Sequence, residues 1–363
     1  MGIRFDRDAR RATNGPMIFF SILKDETFEE EIRSAYLSGL SFYAYRYPKD
    51  NMMSYGSSEG YVEGLGTPGF IIGMFDPEYP IITIPYDGIR RVEKPLSLYV
   101  MPERSTTYEE YRNEVEEIIK DLKENKGSKV VASRVIVREE RLDMAEKFYE
   151  LCSRFPDAFV FCFSTPATGC WIGASPELLL ESSGETLHSM ALAGTRPVGS
   201  DTSWDDKNIE EQSIVTDYIL GIFRRNGFEP EAGETYTKAA GKIEHICTPI
   251  NAYKGDKETK ISNEELGKLL KDLAPTPALC GCPKEFAFEE IKRLEKFDRG
   301  CYGGYCGPFH SAEDFHFNVV LRCASISERK ICSYVGGGIT SHSEVLAEWK
   351  ETELKSSFGA GEQ

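Results

Sequence analysis

Residues 158–192 read AFVFCFSTPATGCWIGASPELLLESSGETLHSMAL. The stretch holds three apolar, β-prone runs: AFVFCFS (158–164), WIGASPELLLE (171–181) and TLHSMAL (186–192). A tight SSGE turn joins the last two, so the runs read as antiparallel neighbours. Upstream, apolar residues at Tyr108, Tyr111, Val115, Ile118 and Leu122 predict a helix over 107–125. Thr106 and Glu109 stand at capping-box spacing, and Gly127 lies past the end. Lys129–Val137 alternates and is β-branched, hence a strand; Met144, Phe148, Leu151, Cys152 and Phe155 mark the next helix. Downstream, a long helix is expected over 205–225. Arg224 and Arg225 fall in its last turn and Gly227 just past it. Further helices fit 263–272, 284–297 and 344–357. FHFNVVLRCASI (315–326), the turn ERK and ICSYV (331–335) read as a hairpin. Hairpins and helices alternate without the regular βαβ repeat of a doubly wound domain, and the expectation is an α+β fold. Residues 1–100 read as strands and turns, with FIIGMF (70–75) and YPIITIPY (79–86) as strands and 49–69 as loop. They are taken as the strand-rich N-terminal part of the same globular unit, with 101–363 as the region that carries the chemistry.

The 363 residues are 40% hydrophobic, enough for a large core without staples. A formal charge of −16 repels phosphate backbones and argues against a nucleic-acid role. If the substrate is an acid, a metal or a local Lys/Arg cluster must overcome that field. The ten cysteines form no spacing framework and read as reduced thiols of a cytosolic protein. The start MGIRFDRDAR has no apolar run after it, and no stretch approaches 18 apolar residues. A soluble, cytoplasmic protein without a membrane partner is expected.

The sharpest local signal is C-terminal. Glu348, Glu351 and Lys355 are spaced i, i+3, i+7 on one helical face, and Glu344 continues it. VGGGIT (335–340) precedes them, and three glycines allow close approach of a ligand. Two carboxylates and a lysine beside such backbone suit a hard cation bridging to an anion; a solvated acidic face with a flexible turn is the competing reading. Glu211 heads an apolar stripe with Val215, Tyr218 and Ile222, so it either meets Glu351 across a shared Mg²⁺ or is an exposed first-turn acid. Lys129 opens its strand, as a general base if partly buried or as a snorkelling side chain. Glu177, in GASPELLL, is a general acid if burial raises its pKa, or an exposed edge residue. His245 alone is an ordinary core histidine. Arg322 lies in an apolar strand, facing away from Phe317, Val319 and Leu321, and wants a carboxylate, which a substrate can supply. RGCYGGYCGPF (299–309) offers backbone N–H groups and the phenols of Tyr302 and Tyr305. No GxGxxG, P-loop or GxSxG motif stands in the right context, and His188 has no partner in the local sequence.

Taken together these pieces resemble the chorismate-utilising enzymes, and within them the isochorismate synthases. The resemblance runs from about 105 to 357 through KVVASR (129–134), GASPE (173–177), ALAGTRP (191–197), KNIEEQ (207–212), IEHICTPI (243–250), LAPTPALCG (273–281), RGCYGGYCG (299–307), VVLRCA (319–324), GGGIT (336–340) and EWKETELK (348–355). It implies large antiparallel sheets packed face to face, with helices outside and a central cleft. It implies Mg²⁺ as cofactor on Glu211 and Glu351, with Glu348 in the same shell. It also implies a chorismate site formed by Ala193, Gly194, Thr195, His245, Tyr302, Arg322, Gly336, Gly337, Gly338 and Lys355. Lys129 resembles the lysine of isochorismate and salicylate synthases, where anthranilate synthases typically carry glutamine. Ala193 stands where common aminodeoxychorismate synthases carry a nucleophilic lysine. The resemblance therefore implies water activated by Lys129 for attack at C2, with Glu177 protonating the departing C4 hydroxyl. A salicylate synthase, which further eliminates pyruvate, is the alternative; an anthranilate-type synthase or a non-catalytic chorismate-binding protein stands further off. Menaquinone is the expected pathway and a catechol siderophore the other. No obligate protein partner is expected, and relatives of this kind are often monomers. Asn208, Gln212, Ala274 and the GGGIT glycines depart from the commoner family residues.

Overall fold

The computed structural model describes residues 26–88, 97–124, 126–184, 186–200, 203–241, 243–255 and 260–356. The charged start of the chain and Glu185 of the SSGE turn lie outside the described residues. Two antiparallel sheets dominate. The first runs, from edge to edge, Gly281–Cys282, Lys129–Glu139, Lys330–Ile339, Cys323–Ile326, Gly169–Ser175, Phe159–Thr165, Ser41–Arg46 and Met53–Ser58. The second runs Phe228–Ala232, Ile243–Lys254, Thr186–Pro197, Leu178–Ser183, Asp314–Val319, Tyr305–Ser311, Gly69–Gly73, Ile82–Pro85 and Val62–Glu63, with Tyr236–Ala240 also paired to Ile243–Lys254.

The inner faces of the sheets meet in one aromatic core. Phe159, Phe161 and Phe163 of the first sheet share it with Phe70, Leu180 and Phe317 of the second. Phe70 stacks on Tyr45 at 5.8 Å and lies 6.0 Å from Phe163, across the interface. The alternate residues of the same strand, Val160 and Cys162, are also buried, on the outer face under the helices Glu26–Leu37 and Met144–Arg154. Burial on both faces explains why AFVFCFS is apolar throughout. Tyr108–Lys123 and Lys284–Leu294 cover Val130, Ala132 and Ile339 at the other end of that sheet. Val215, Ile219 and Phe223 of the long helix Asp206–Arg225 join the main core together with Leu266, Leu269 and Leu270 of Asn263–Leu273. The expected α+β architecture, with face-to-face antiparallel sheets and helices outside, is what the chain adopts. Among the described residues no helix is long and apolar enough to cross a membrane.

The structure corrects several local expectations. The helix Glu26–Leu37 falls in a region read as strands and turns, and Met53–Ser58 and Val62–Glu63 pair within the stretch read as loop. The capping box is Thr107–Glu110, one residue later than expected; Thr106 instead bonds the backbone of Val135. Glu344 is the N-cap of Val345–Lys355, with extended backbone, and does not add a turn to the acidic face.

Two corrections bear on the site. WIGASPELLLE is not one strand, nor is FHFNVVLRCASI. The first leaves the first sheet after Ser175 and enters the second at Leu178. The other leaves the second sheet after Val319 and enters the first at Cys323. Arg322 lies in this second crossing, at φ 48°, and not within a strand as expected. The crossings are tied together: Val319 N and Asn318 Nδ2 donate to Glu177 O at 3.1 and 2.9 Å, and Ala174 N donates to Arg322 O at 3.1 Å.

Candidate active site

The crossings carry Glu177 and Arg322 into the wall of a cavity of about 640 Å³, counted to its open mouth. The wall also includes Ala193, Gly194, Thr195, Glu211, His245, Tyr302, Gly336, Gly337, Gly338 and Lys355. Apolar neighbours that sequence reading did not single out, among them Val131, Leu192, Leu279 and Leu321, complete it. Such residues look like any other core position until the cleft between the sheets selects them.

Glu177 is 2% exposed and its Oε1 has no hydrogen-bond partner. Burial pushes its carboxyl up to about 8, against the opposing charges of Lys238 and Lys129. The edge-exposed alternative is thereby removed. Lys129 is fully buried, and its Nζ meets Glu211 Oε1 at 2.6 Å. The snorkelling alternative fails as well, because the amine points inward.

The carboxylates lie against Gly337 and Gly338. Lys207 Nζ and Ser343 Oγ bond Glu348 Oε1, at 3.0 and 2.7 Å, while the buried Glu348 Oε2 has no partner. Lys355 Nζ spans Glu351 Oε1 at 2.7 Å and Gly336 O at 2.9 Å. Burial would raise the Glu351 carboxyl, but Lys355, Lys207 and Lys129 outweigh it and hold it below its ordinary value. A Cβ on Gly338 would lie 2.6 Å from Lys129 Cε and 2.7 Å from Glu211 Oε1; one on Gly337 would lie 3.2 Å from Glu348 Oε2. At Gly338 a Cβ would force these side-chain ends to move, and at Gly337 it would crowd Glu348 less severely.

Among the described residues no three acidic, histidine or cysteine side chains already converge as a metal cage. The donor set nevertheless fits a hard divalent cation. It is all carboxylate, one buried oxygen of Glu348 is unpartnered, and Glu348 Oε2 and Glu351 Oε1 both approach the position of a Gly337 Cβ, at 3.2 and 3.6 Å. Magnesium is commonly held by one or two carboxylates plus ligand and water, without a full protein cage.

His245 is buried, and its tautomer follows from its partners. Nδ1 donates to Gly194 O at 2.6 Å, leaving Nε2 to accept from Arg322 Nη2 at 3.0 Å. Burial, reinforced by Arg322, lowers its pKa to about 3, so the ring is neutral. Arg322, lowered by burial to about 10, makes no ion pair with protein among the described residues. Its guanidinium remains available to an anionic ligand. Gly194 sits at φ 70° where the strand Thr186–Pro197 bulges. Asn208 Oδ1 accepts from Thr195 N at 3.0 Å and docks this turn on the helix that carries Glu211. Tyr302 is buried beneath Gly336, whose Cβ would lie 3.0 Å from its hydroxyl. Tyr305 points elsewhere: its ring packs on Gly73 in the core, so only one of the two phenols reaches the site. His188 bonds Asn251 Oδ1 at 2.7 Å, a partner that local sequence could not reveal. Lys207 and Lys238 are further charged neighbours that the sequence did not single out.

The cavity can therefore hold an anion on Arg322 and Lys355, with a protonated carboxyl on one wall and the Glu211 carboxylate on another; Lys129, paired to Glu211, is fully buried and does not itself line it. The chain is 31% identical over 242 residues to isochorismate synthase EntC of Escherichia coli, covering 62% of this chain and 60% of that protein. It is 28% identical over 314 residues to the vibriobactin-specific isochorismate synthase of Vibrio cholerae, covering 79% and 76%. Among solved structures, MenF, the menaquinone-specific isochorismate synthase from Escherichia coli, superposes with TM-score 0.73 at 20% identity, over 88% of this chain and 87% of that one. Anthranilate synthase component I from Streptococcus pneumoniae superposes with TM-score 0.63 at 14% identity, over 95% and 99%; these two likenesses establish the fold. The chorismate binding enzyme family matches residues 89–358, most of the chain, and the protein belongs to that family.

Proposed function

We propose that the protein converts chorismate to isochorismate. The observation that carries the reading is Glu177: a buried carboxyl, protonated near neutral pH, facing a cavity that also holds an arginine with no ion pair among the described residues. The isochorismate synthases among its relatives support the same reaction. Arg322 and Lys355 hold substrate carboxylates. Lys129 takes a proton from water as its oxygen bonds to ring C2. The double bonds shift, the C4–O bond breaks, and Glu177 gives its proton to the departing hydroxyl. One water enters and one leaves, so the product is an isomer. Each proton-transfer group contributes roughly 10²–10⁴ in rate, and the fixed walls add orientation.

Glu211, Glu351 and Glu348 are the proposed magnesium ligands. When bound, the ion supplies positive charge to the substrate carboxylate and draws electron density from the conjugated ring. Menaquinone-specific and vibriobactin-specific synthases both match the chain, so the lean to menaquinone gains no discriminating support. All ten cysteines are free thiols, nine of them buried, which suits the proposed cytoplasmic location.

Incubation of the protein with chorismate, with and without Mg²⁺, followed by chromatographic separation of products, tests the reading. Magnesium-dependent isochorismate without stoichiometric pyruvate is expected. Salicylate with pyruvate moves the protein to the salicylate synthases, and binding without conversion overturns the catalytic reading.

A further inference from the structure

We propose that Lys238 is a positioning residue for Glu177: its ammonium grips the peptide that precedes the acid and places a positive charge beside the carboxyl. The inference rests on the reading of Glu177 as the acid. Lys238 belongs to Tyr236–Ala240, the strand that pairs with Ile243–Lys254 beside the main order of the second sheet. In that register it lies directly opposite His245. Opposed residues of an antiparallel pair project to the same face. His245 reaches Gly194 and Arg322, while Lys238 Nζ donates to Pro176 O at 2.7 Å.

The crossing at Pro176 and Glu177 lacks the ladder bonds of a strand. Its other ties are neutral: the amide of Glu177 donates to Ser175 Oγ, and Asn318 and Val319 donate to its carbonyl. Lys238 alone among these contacts brings a charge. Lys129 acts on Glu177 from the first sheet; burial lowers the Lys238 amine below its ordinary value, with Cys247, Glu177 and Asp157 opposing that shift and Lys49 adding to it. Without Lys238, burial would hold the Glu177 proton more tightly and the crossing would lose an anchor. The stretch TYTKAAGK (235–242) carries no motif, so only the strand pairing reveals this lysine.

Lys238→Met, Lys238→Gln and Lys238→Arg are compared with the wild-type protein in two measurements. The first is the pH profile of kcat for chorismate. The second is the infrared carboxyl band of Glu177 in the ligand-free protein, assigned by its loss in Glu177→Gln. The Met and Gln variants should move the alkaline limb and the Glu177 titration upward by about one pH unit or more, with KM little changed; Arg should keep both near wild type. An unchanged Glu177 titration in a folded Met or Gln variant overturns the proposal. If Met fails to fold, Gln decides. If the wild-type protein makes no isochorismate, the reaction assignment falls, and the infrared titration still judges Lys238.

Discussion

Lys129 and Glu211, 82 residues apart in sequence, meet at 2.6 Å, with the lysine fully buried. One carboxylate thus links the proposed base to the proposed cation site. Lys129→Ala should lower kcat by about 10²–10⁴ while magnesium-dependent ligand binding, measured by calorimetry, is retained. Near-normal turnover would remove Lys129 from the mechanism.

Glu351 is the carboxylate held by Lys355, which also bonds Gly336 O. Glu351→Gln should raise the magnesium concentration needed for half-maximal activity by about tenfold or more, since one ionic oxygen ligand is lost. A magnesium titration of initial rates measures it, and an unchanged midpoint rules out the ligand role.

Gly338 and Gly337 separate function from stability. Gly338→Ala would bring a methyl to 2.6 Å from Lys129 Cε and 2.7 Å from Glu211 Oε1, both near the ends of flexible side chains. These ends can shift without unfolding the sheet, but the pair cannot keep its place. Activity should fall at least about tenfold, as expected when a catalytic geometry is displaced, with little change in Tm. Gly337→Ala meets Glu348 Oε2 at 3.2 Å and should do less harm. Equal activities for the two variants would contradict this ordering.

Glu177 sets a pH dependence of both rate and stability. Its carboxyl is raised from an ordinary 4.5 to about 8, so the proton it is proposed to donate is lost as pH rises through that value. The alkaline limb of kcat should fall near pH 8, read as a property of the coupled site. Between the unfolded and folded values the native state binds more protons than the unfolded chain, so its contribution to stability decreases as pH rises across that window. Glu177→Gln should abolish turnover and flatten this part of the Tm–pH curve. A wild-type Tm slope retained in the variant would show that other groups produce it.

Arg322 donates to the neutral His245 and has no carboxylate partner among the described residues. Arg322→Lys should raise KM for chorismate by about tenfold or more, because an ammonium cannot reproduce the planar fork at a carboxylate. A KM within twofold of wild type would be inconsistent with substrate binding by the guanidinium.

Much of this is legible in the sequence. Alternation in KVVASRVIV and the capped stripe of 107–125 correspond to real elements, displaced by a residue or two at their ends. Spacing placed Glu348, Glu351 and Lys355 on one helical face, and the order of ten motifs pointed to the family. Local pattern could not show where WIGASPELLLE and FHFNVVLRCASI change sheets. Both halves of each segment are apolar because both sheets bury them, and periodicity reports burial, not which sheet a strand joins. Lys207 and Lys238 were missed for a related reason: a lone lysine carries no signal until its partner, Glu348 or Pro176 O, is known.

The sequence by itself determined the fold class, through the periodicity of its segments, and the family, through the resemblance carried by ten ordered motifs; the site residues follow from that resemblance as expectations. The tertiary structure alone decided which lysine faces which glutamate, that Glu177 is buried and protonated, and that His245 is a neutral acceptor for Arg322. These properties arise from desolvation and from charges brought together from positions 77 to 141 residues apart in the chain, and no local window of sequence contains them.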